Sequence, residues 1–135
     1  MVIDSSALLA ILGGEPERRS FIEKIEQATW RRMSVATLVE SSIVMEVRRG
    51  AEGLREMDHF LHRAGFEFLA VDAEQGHLAR QAFSRFGKGR HRAALNYGDC
   101  FSYALAKLLG EPLLCKGDRF VHTDVEVAAA AAGKE

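Results

Sequence analysis

Cysteine is scarce in this sequence. Its 135 residues hold only Cys100 and Cys115, both in apolar surroundings, with no Cys-x-x-Cys spacing and no histidine at ligand distance. That excludes a disulfide framework, argues against a structural zinc site and reads as reduced core thiols. Proline is equally rare, with two residues, and no low-complexity linker or internal repeat breaks the chain. One domain is expected, large enough to bury roughly 70% of the surface of its unfolded chain. Net charge is nearly absent, at −1, so any nucleic-acid role must rest on local basic clusters. No run approaches the roughly 20 apolar residues of a membrane span. The start lacks the basic n-region of a signal peptide, so a cytoplasmic protein is expected.

What is present is an alternation of strand and helix signals. Met1 to Asp4 is a short strand, and Ser5 and Ser6 offer caps for a helix over SALLAIL that stops at Gly13-Gly14. Glu15-Pro16-Glu17 opens a second helix, to residue 28, with Phe21, Ile22 and Ile25 on its apolar stripe. Residues 30–35 read as a second strand. A helix over 36–49 stops at Gly50, and another, with Leu54, Met57, Phe60 and Leu61 on one face, is expected to pack on it as a hairpin. Strand three covers 66–71, a helix capped by Asp72 covers 73–86, and a basic loop runs from Gly87 to Gly98. A helix over 99–109, a strand over 113–115 and a short fifth strand at 125–127 complete the chain. This order predicts an α/β fold with a parallel sheet covered on both faces and ligands at the carboxyl ends of its strands.

Four acidic residues stand at the edges of apolar segments: Asp4 ending MVID, Glu40 inside VATLVESSIV, Asp99 opening DCFSYALAKLL and Asp118 after PLLCKG. Each has a structural alternative. Asp4 is a good N-cap, Glu40 fits a capping box with Thr37, Asp99 favours a helix dipole, and Asp118 follows Gly117 in a turn. A shared cause is a divalent cation site, because converging carboxylates at buried surface repel one another unless a cation neutralises them. Mg²⁺ and Mn²⁺ prefer such oxygen ligands, and Asp124 is a fifth candidate that could serve a second ion. Ser6 could hydrogen-bond an acidic neighbour or a phosphate, or merely cap a helix.

Positive charge near the acids comes from Arg85, Lys88, Arg90 and Arg92, just before Asp99, and from Lys116 and Arg119 around Asp118. Their phosphate-binding reading competes with that of an ordinary solvated loop. His59 and His62 read as an exposed helix face.

The strings MVIDSSALLAILGGEPE, SVATLVESSIVMEVRRG, FGKGRHRAALNYGDCFSYALAK and GEPLLCKGDRFVHTDV resemble, in order and spacing, the PIN-domain ribonucleases, and within them the VapC-type toxins of type II toxin–antitoxin systems. The resemblance implies a PIN domain over residues 1–127, with 128–135 a flexible tail. The implied fold is a three-layer α/β/α sandwich with a mainly parallel four- to five-stranded sheet. It implies Mg²⁺- or Mn²⁺-dependent endoribonuclease action on RNA, with the family's acids on Asp4, Glu40 and Asp99 and a more variable fourth on Asp118. The implied partners are a VapB-type antitoxin and a second copy in a homodimer, within a larger toxin–antitoxin complex. One position departs: relatives often read KGDDF where this chain has Lys116-Gly117-Asp118-Arg119-Phe120, which puts a second ion in question. Other readings are a non-catalytic PIN-like RNA- or protein-binding domain, a receiver-like signalling domain built on Asp72 and Lys116, and a Cys100 nucleophile without a histidine to activate it.

Overall fold

The computed structural model describes residues 1–128. A central sheet is formed by β1 (Val2–Ile3), β2 (Arg32–Ser34), β3 (Glu67–Leu69) and β4 (Leu113–Leu114), in the order β3-β2-β1-β4 and parallel throughout. The helices are α1 (Ser5–Leu12), α2 (Arg18–Gln27), α3 (Val35–Arg63), α4 (Ala73–Phe86) and α5 (Tyr97–Leu109). Among the described residues no helix is long and apolar enough to cross a membrane.

Neighbouring strand residues face opposite sides, and this divides the core into two layers. Val2 and Leu113 pack with Phe86, Leu95, Tyr103 and Leu105 under α4 and α5. Ile3 and Leu114 pack with Leu8, Ile11, Phe21 and Met57 under α1, α2 and α3. The result is an α/β/α sandwich, as expected.

Several boundaries moved for local reasons. α2 starts at Arg18, because Glu15–Glu17 form a turn in which Arg18 N–H donates to Glu15 O. α5 starts at Tyr97, two residues early, because Asn96 and Asp99 close a reciprocal capping box. The expected helix pair is a single helical segment broken at Gly50, where φ is 63°, a region that glycine enters without a Cβ penalty. The chain doubles back there so tightly that a Cβ on Gly53 would stand 2.9 Å from Met45 O. The fifth strand is a single parallel bridge between Val127 and Leu113. Ala128 N–H still donates to Leu113 O, and the rest of the expected tail, 129–135, lies outside the described residues.

β1 is flanked by β2 on one side and β4 on the other, so the winding of the sheet reverses at β1. Residues at the carboxyl ends of β1 and β4 therefore face a crevice at a switch point. Asp4 and the 116–119 turn occupy those positions.

Candidate functional site

Asp4 leaves β1 with its N–H donating to Leu114 O and its side chain capping α1. Oδ2 accepts from Ser6 N (3.0 Å) and Ser6 Oγ (2.7 Å), and Oδ1 accepts from Ser102 Oγ at 2.5 Å. Ser6 Oγ also accepts from Lys116 N at 2.9 Å, which fastens the turn after β4 to the start of α1. The capping reading of Asp4 thus holds, and its carboxylate also lies within reach of the Asp99 charge. Burial raises its pKa first, the Asp99 charge adds to this, and the Ser102 and Ser6 hydrogen bonds work against it.

Glu40 projects from the first arm of α3. Its capping-box alternative fails, because the N-cap of α3 is Ser34, whose Oγ accepts from Ala36 N. Thr37 is instead buried, with Oγ1 3.3 Å from Ser102 Oγ. Burial raises the Glu40 pKa, as do the charges of Asp4 and Asp99, while a hydrogen bond from the Ser5 side chain works against them. Its Oε1 is buried with no hydrogen-bond partner among the described residues. The carboxylate lies against the Gly98 backbone, where a Cβ would stand 2.5 Å from Oε1. Glycine at 98 is what lets Glu40 reach the first turn of α5. A crevice of about 260 Å³ adjoins, lined by Ala36, Glu40, Asn96, Tyr97, Gly98 and Phe101.

Asp99 is the third residue of α5. Its Oδ2 accepts from Asn96 N (3.0 Å) and from Arg119 Nη1 (2.7 Å). Asp118 is exposed in the turn just before Arg119.

Asp4, Glu40 and Asp99 are thus near enough to act on one another's charge, and Asp118 sits on the rim. Their chemistry suits a hard divalent cation: oxygen donors, an orphaned buried Oε1 and a missing Cβ at Gly98. Among the described residues no three His, Cys, Asp or Glu side chains converge tightly enough to ligate an ion as they stand. The oxygens of Asp4 are turned onto serines, and Asp99 Oδ2 onto Arg119.

Other expected residues go elsewhere. Asp124 Oδ1 accepts from Tyr103 Oη (2.6 Å), while Oδ2 faces Lys107 Nζ (3.2 Å) and Arg85 Nη1 (3.5 Å). Burial alone would raise its pKa, but Tyr103, Lys107 and Arg85 together hold it below the usual range. Arg85 is therefore committed to Asp124 and to the Phe86 ring, 4.7 Å away. Lys116 Nζ pairs with Glu15 and, at 3.4 Å, with Glu17. Lys88, Arg90 and Arg92 remain exposed on a loop pinned by Lys88 N to Leu95 O and Leu95 N to Phe86 O.

Ser102 and Thr37 are the site residues that sequence reasoning missed. Their one signal was a hydroxyl in an otherwise apolar helix stripe. Burial pushes Cys100 up to about 11 and Cys115 up to about 12, which removes the thiolate a cysteine nucleophile needs.

The profile of the PIN domain family matches residues 1–126. The chain is 52% identical over 129 residues to ribonuclease VapC30 of Mycobacterium tuberculosis, spanning 96% of this chain and 98% of that one. Its fold is similar to that of Mycobacterium tuberculosis VapC20, described as a sarcin–ricin-loop-cleaving toxin. The TM-score is 0.72 at 16% identity, covering 95% and 98% of the two chains. A chain of a toxin–antitoxin complex from Klebsiella pneumoniae is similar too, with a TM-score of 0.70 at 15% identity over 94% and 95%.

Proposed function

The chain belongs to the PIN domain family and, within it, to the VapC ribonucleases, and on that footing we propose that it is a Mg²⁺- or Mn²⁺-dependent endoribonuclease, the toxin of a type II toxin–antitoxin pair working in the cytoplasm. The observation that carries the metal dependence is the set Asp4, Glu40 and Asp99. Two of these carboxylates have raised pKa values through burial and mutual repulsion, and one has an orphaned buried oxygen.

Asp4, Glu40 and Asp99 would hold the ion, with Asp118 reaching from the rim. A bound Mg²⁺ or Mn²⁺ supplies neutralisation of the phosphodiester charge and a more acidic water. Ser102 and Ser6 fix the Asp4 carboxylate in one orientation, so its oxygens need no rearrangement during turnover. The Glu40 carboxylate, beside Asp4 and Asp99, is the group that would orient a water and take its proton. In-line attack by that water leaves a 5′-phosphate and a 3′-hydroxyl, and the substrate 2′-hydroxyl is not the nucleophile. Lys88, Arg90 and Arg92 hold the RNA backbone by charge.

Two further surfaces suit the partners. Val35, Val39, Ile43 and Val47 form an exposed apolar stripe at four-residue spacing along the first arm of α3. We assign this stripe to a homodimer, in which a two-fold axis would set the same apolar residues against each other. A groove of about 720 Å³ between α1, α2 and the second arm of α3 is lined by apolar Ile22 and Phe60, by arginines at 18, 31, 49 and 63, and by Glu26 and Glu56, the latter paired with Arg49, so that its charge is positive on balance. It fits an acidic, amphipathic antitoxin segment.

The deciding experiment is cleavage of end-labelled RNAs by purified, antitoxin-free protein with Mg²⁺ or Mn²⁺, beside EDTA and Asp99→Asn controls. Cleavage lost in both controls is the expected result. Undiminished cleavage by Asp99→Asn would overturn the assignment, and a folded, metal-binding protein that cuts no RNA would favour the non-catalytic reading.

A further inference from the structure

The Arg119–Asp99 contact goes beyond a surface ion pair. Asp99 is buried, and its Oδ2 takes the guanidinium Nη1 at 2.7 Å. Arg119 is itself about half exposed, with a side-chain accessibility of 49%. A half-exposed cation thus rests on a buried acid, next to two carboxylates that carry no cation of their own: the contacts of Asp4 are with hydroxyls and a backbone N–H, and Glu40 Oε1 has no partner among the described residues. The other cations nearby are engaged elsewhere, Lys116 with Glu15 and Glu17, and Arg85 and Lys107 with Asp124. Arg119 is therefore the positive charge that the carboxylate set has in this arrangement. The oxygen it covers belongs to a proposed metal ligand.

We propose that Arg119 is a positioning residue that stands in for the metal at Asp99, competing with the divalent ion for the charge of that carboxylate and setting the ion concentration at which the site fills. The inference rests on the metal reading given above. Asp99 Oδ2 takes both Asn96 N–H and Arg119, so an ion on this carboxylate, whichever oxygen it takes, meets the guanidinium charge at close range, and loading weakens the Arg119 contact. Its partial exposure makes that weakening inexpensive, since a half-exposed guanidinium leaving one carboxylate regains water. Once released, the guanidinium is free to pair with an RNA phosphate.

The test is Mn²⁺ binding, read by electron paramagnetic resonance of free Mn²⁺ and by calorimetry, on wild type, Arg119→Ala, Arg119→Gln and Asp99→Asn, with melting temperatures in EDTA and in saturating Mn²⁺. The expected result is Mn²⁺ affinity tighter by about three- to tenfold in both Arg119 variants. Their melting temperatures fall in EDTA but match wild type once Mn²⁺ is bound. A purely structural arginine would lower the melting temperature in both conditions and leave affinity unchanged, which would overturn the inference alone. Wild type that binds no Mn²⁺, with the Arg119 variants equally inert, would overturn the metal reading and this inference with it.

Discussion

Ser102 Oγ donates to Asp4 Oδ1 across 2.5 Å, joining the middle of α5 to the end of β1 through two fully enclosed side chains. Ser102→Ala removes the donor and leaves a buried carboxylate oxygen bare, so stability should fall by about 1–3 kcal/mol. The same hydrogen bond restrains the raised pKa of Asp4. Its loss therefore moves the acid limb of the pH–rate profile to higher pH. Urea unfolding and a pH series of RNA cleavage check the two effects; an unmoved acid limb would show that Ser102 does not tune Asp4.

The direction of the Asp4 and Glu40 shifts gives a pH dependence of stability. Both hold protons more tightly in the folded protein than in the unfolded chain. Their penalty is absent below the ordinary carboxylate pKa, about 4, and grows as pH rises through the raised values. The metal-free protein should therefore melt at a lower temperature at pH 7 than near pH 5. Asp4→Asn should flatten that slope and raise the pH 7 melting temperature by about 3–6 °C, while abolishing cleavage. The check is a melting series in EDTA, and a variant that melts below wild type at pH 7 would contradict it. Asp124 has the opposite sign, but it acts below its ordinary pKa and so outside this window.

Gly98→Ala separates catalysis from folding. Position 98 lies in the first turn of α5, where alanine favours helix, yet its Cβ would stand 2.5 Å from Glu40 Oε1. Glu40 has to swing away. Cleavage should drop about tenfold or more, with the melting temperature changed little. Full activity would mean that Glu40 need not lie against α5.

Charge on the α3 stripe tests the dimer. Ile43→Glu, at a side chain 57% exposed, should leave the monomer's fold intact and convert a dimer to a monomer by light scattering. A wild-type monomer at micromolar concentration, or a variant that stays dimeric, would exclude this face.

The acids were legible because polar residues beside apolar runs stand out; Asp4, Glu40 and Asp99 lie near enough to act on one another's charge, though among the described residues not close enough to ligate one ion as they stand. Asp4 and Asp99 also cap helices, so the alternatives offered by local pattern were correct without being complete. Ser102 and Thr37 were not legible, since a hydroxyl on an apolar helix face reads as tolerated polarity until its partner is known. The basic residues divided for the same reason. Arg85 and Lys116 met acids 39 and 101 positions away, and no local window contains such pairs. The helix and strand ends moved by two or three residues where a capping box at Asn96 or a turn at Glu15 outweighed periodicity.

The pairing of β1 with β4, Val2 against Leu113 and Ile3 against Leu114, also sets when the site can exist. Asp4 is held by Leu114 O, Ser6 by Lys116 N and Asp99 by Arg119. The Asp4 N–H, close to the start of the chain, therefore waits for β4 before it has its partner in the sheet, and closing so long a loop is slow. A chain still being synthesised thus carries Asp4 and Asp99 before the segment that fastens both has been made.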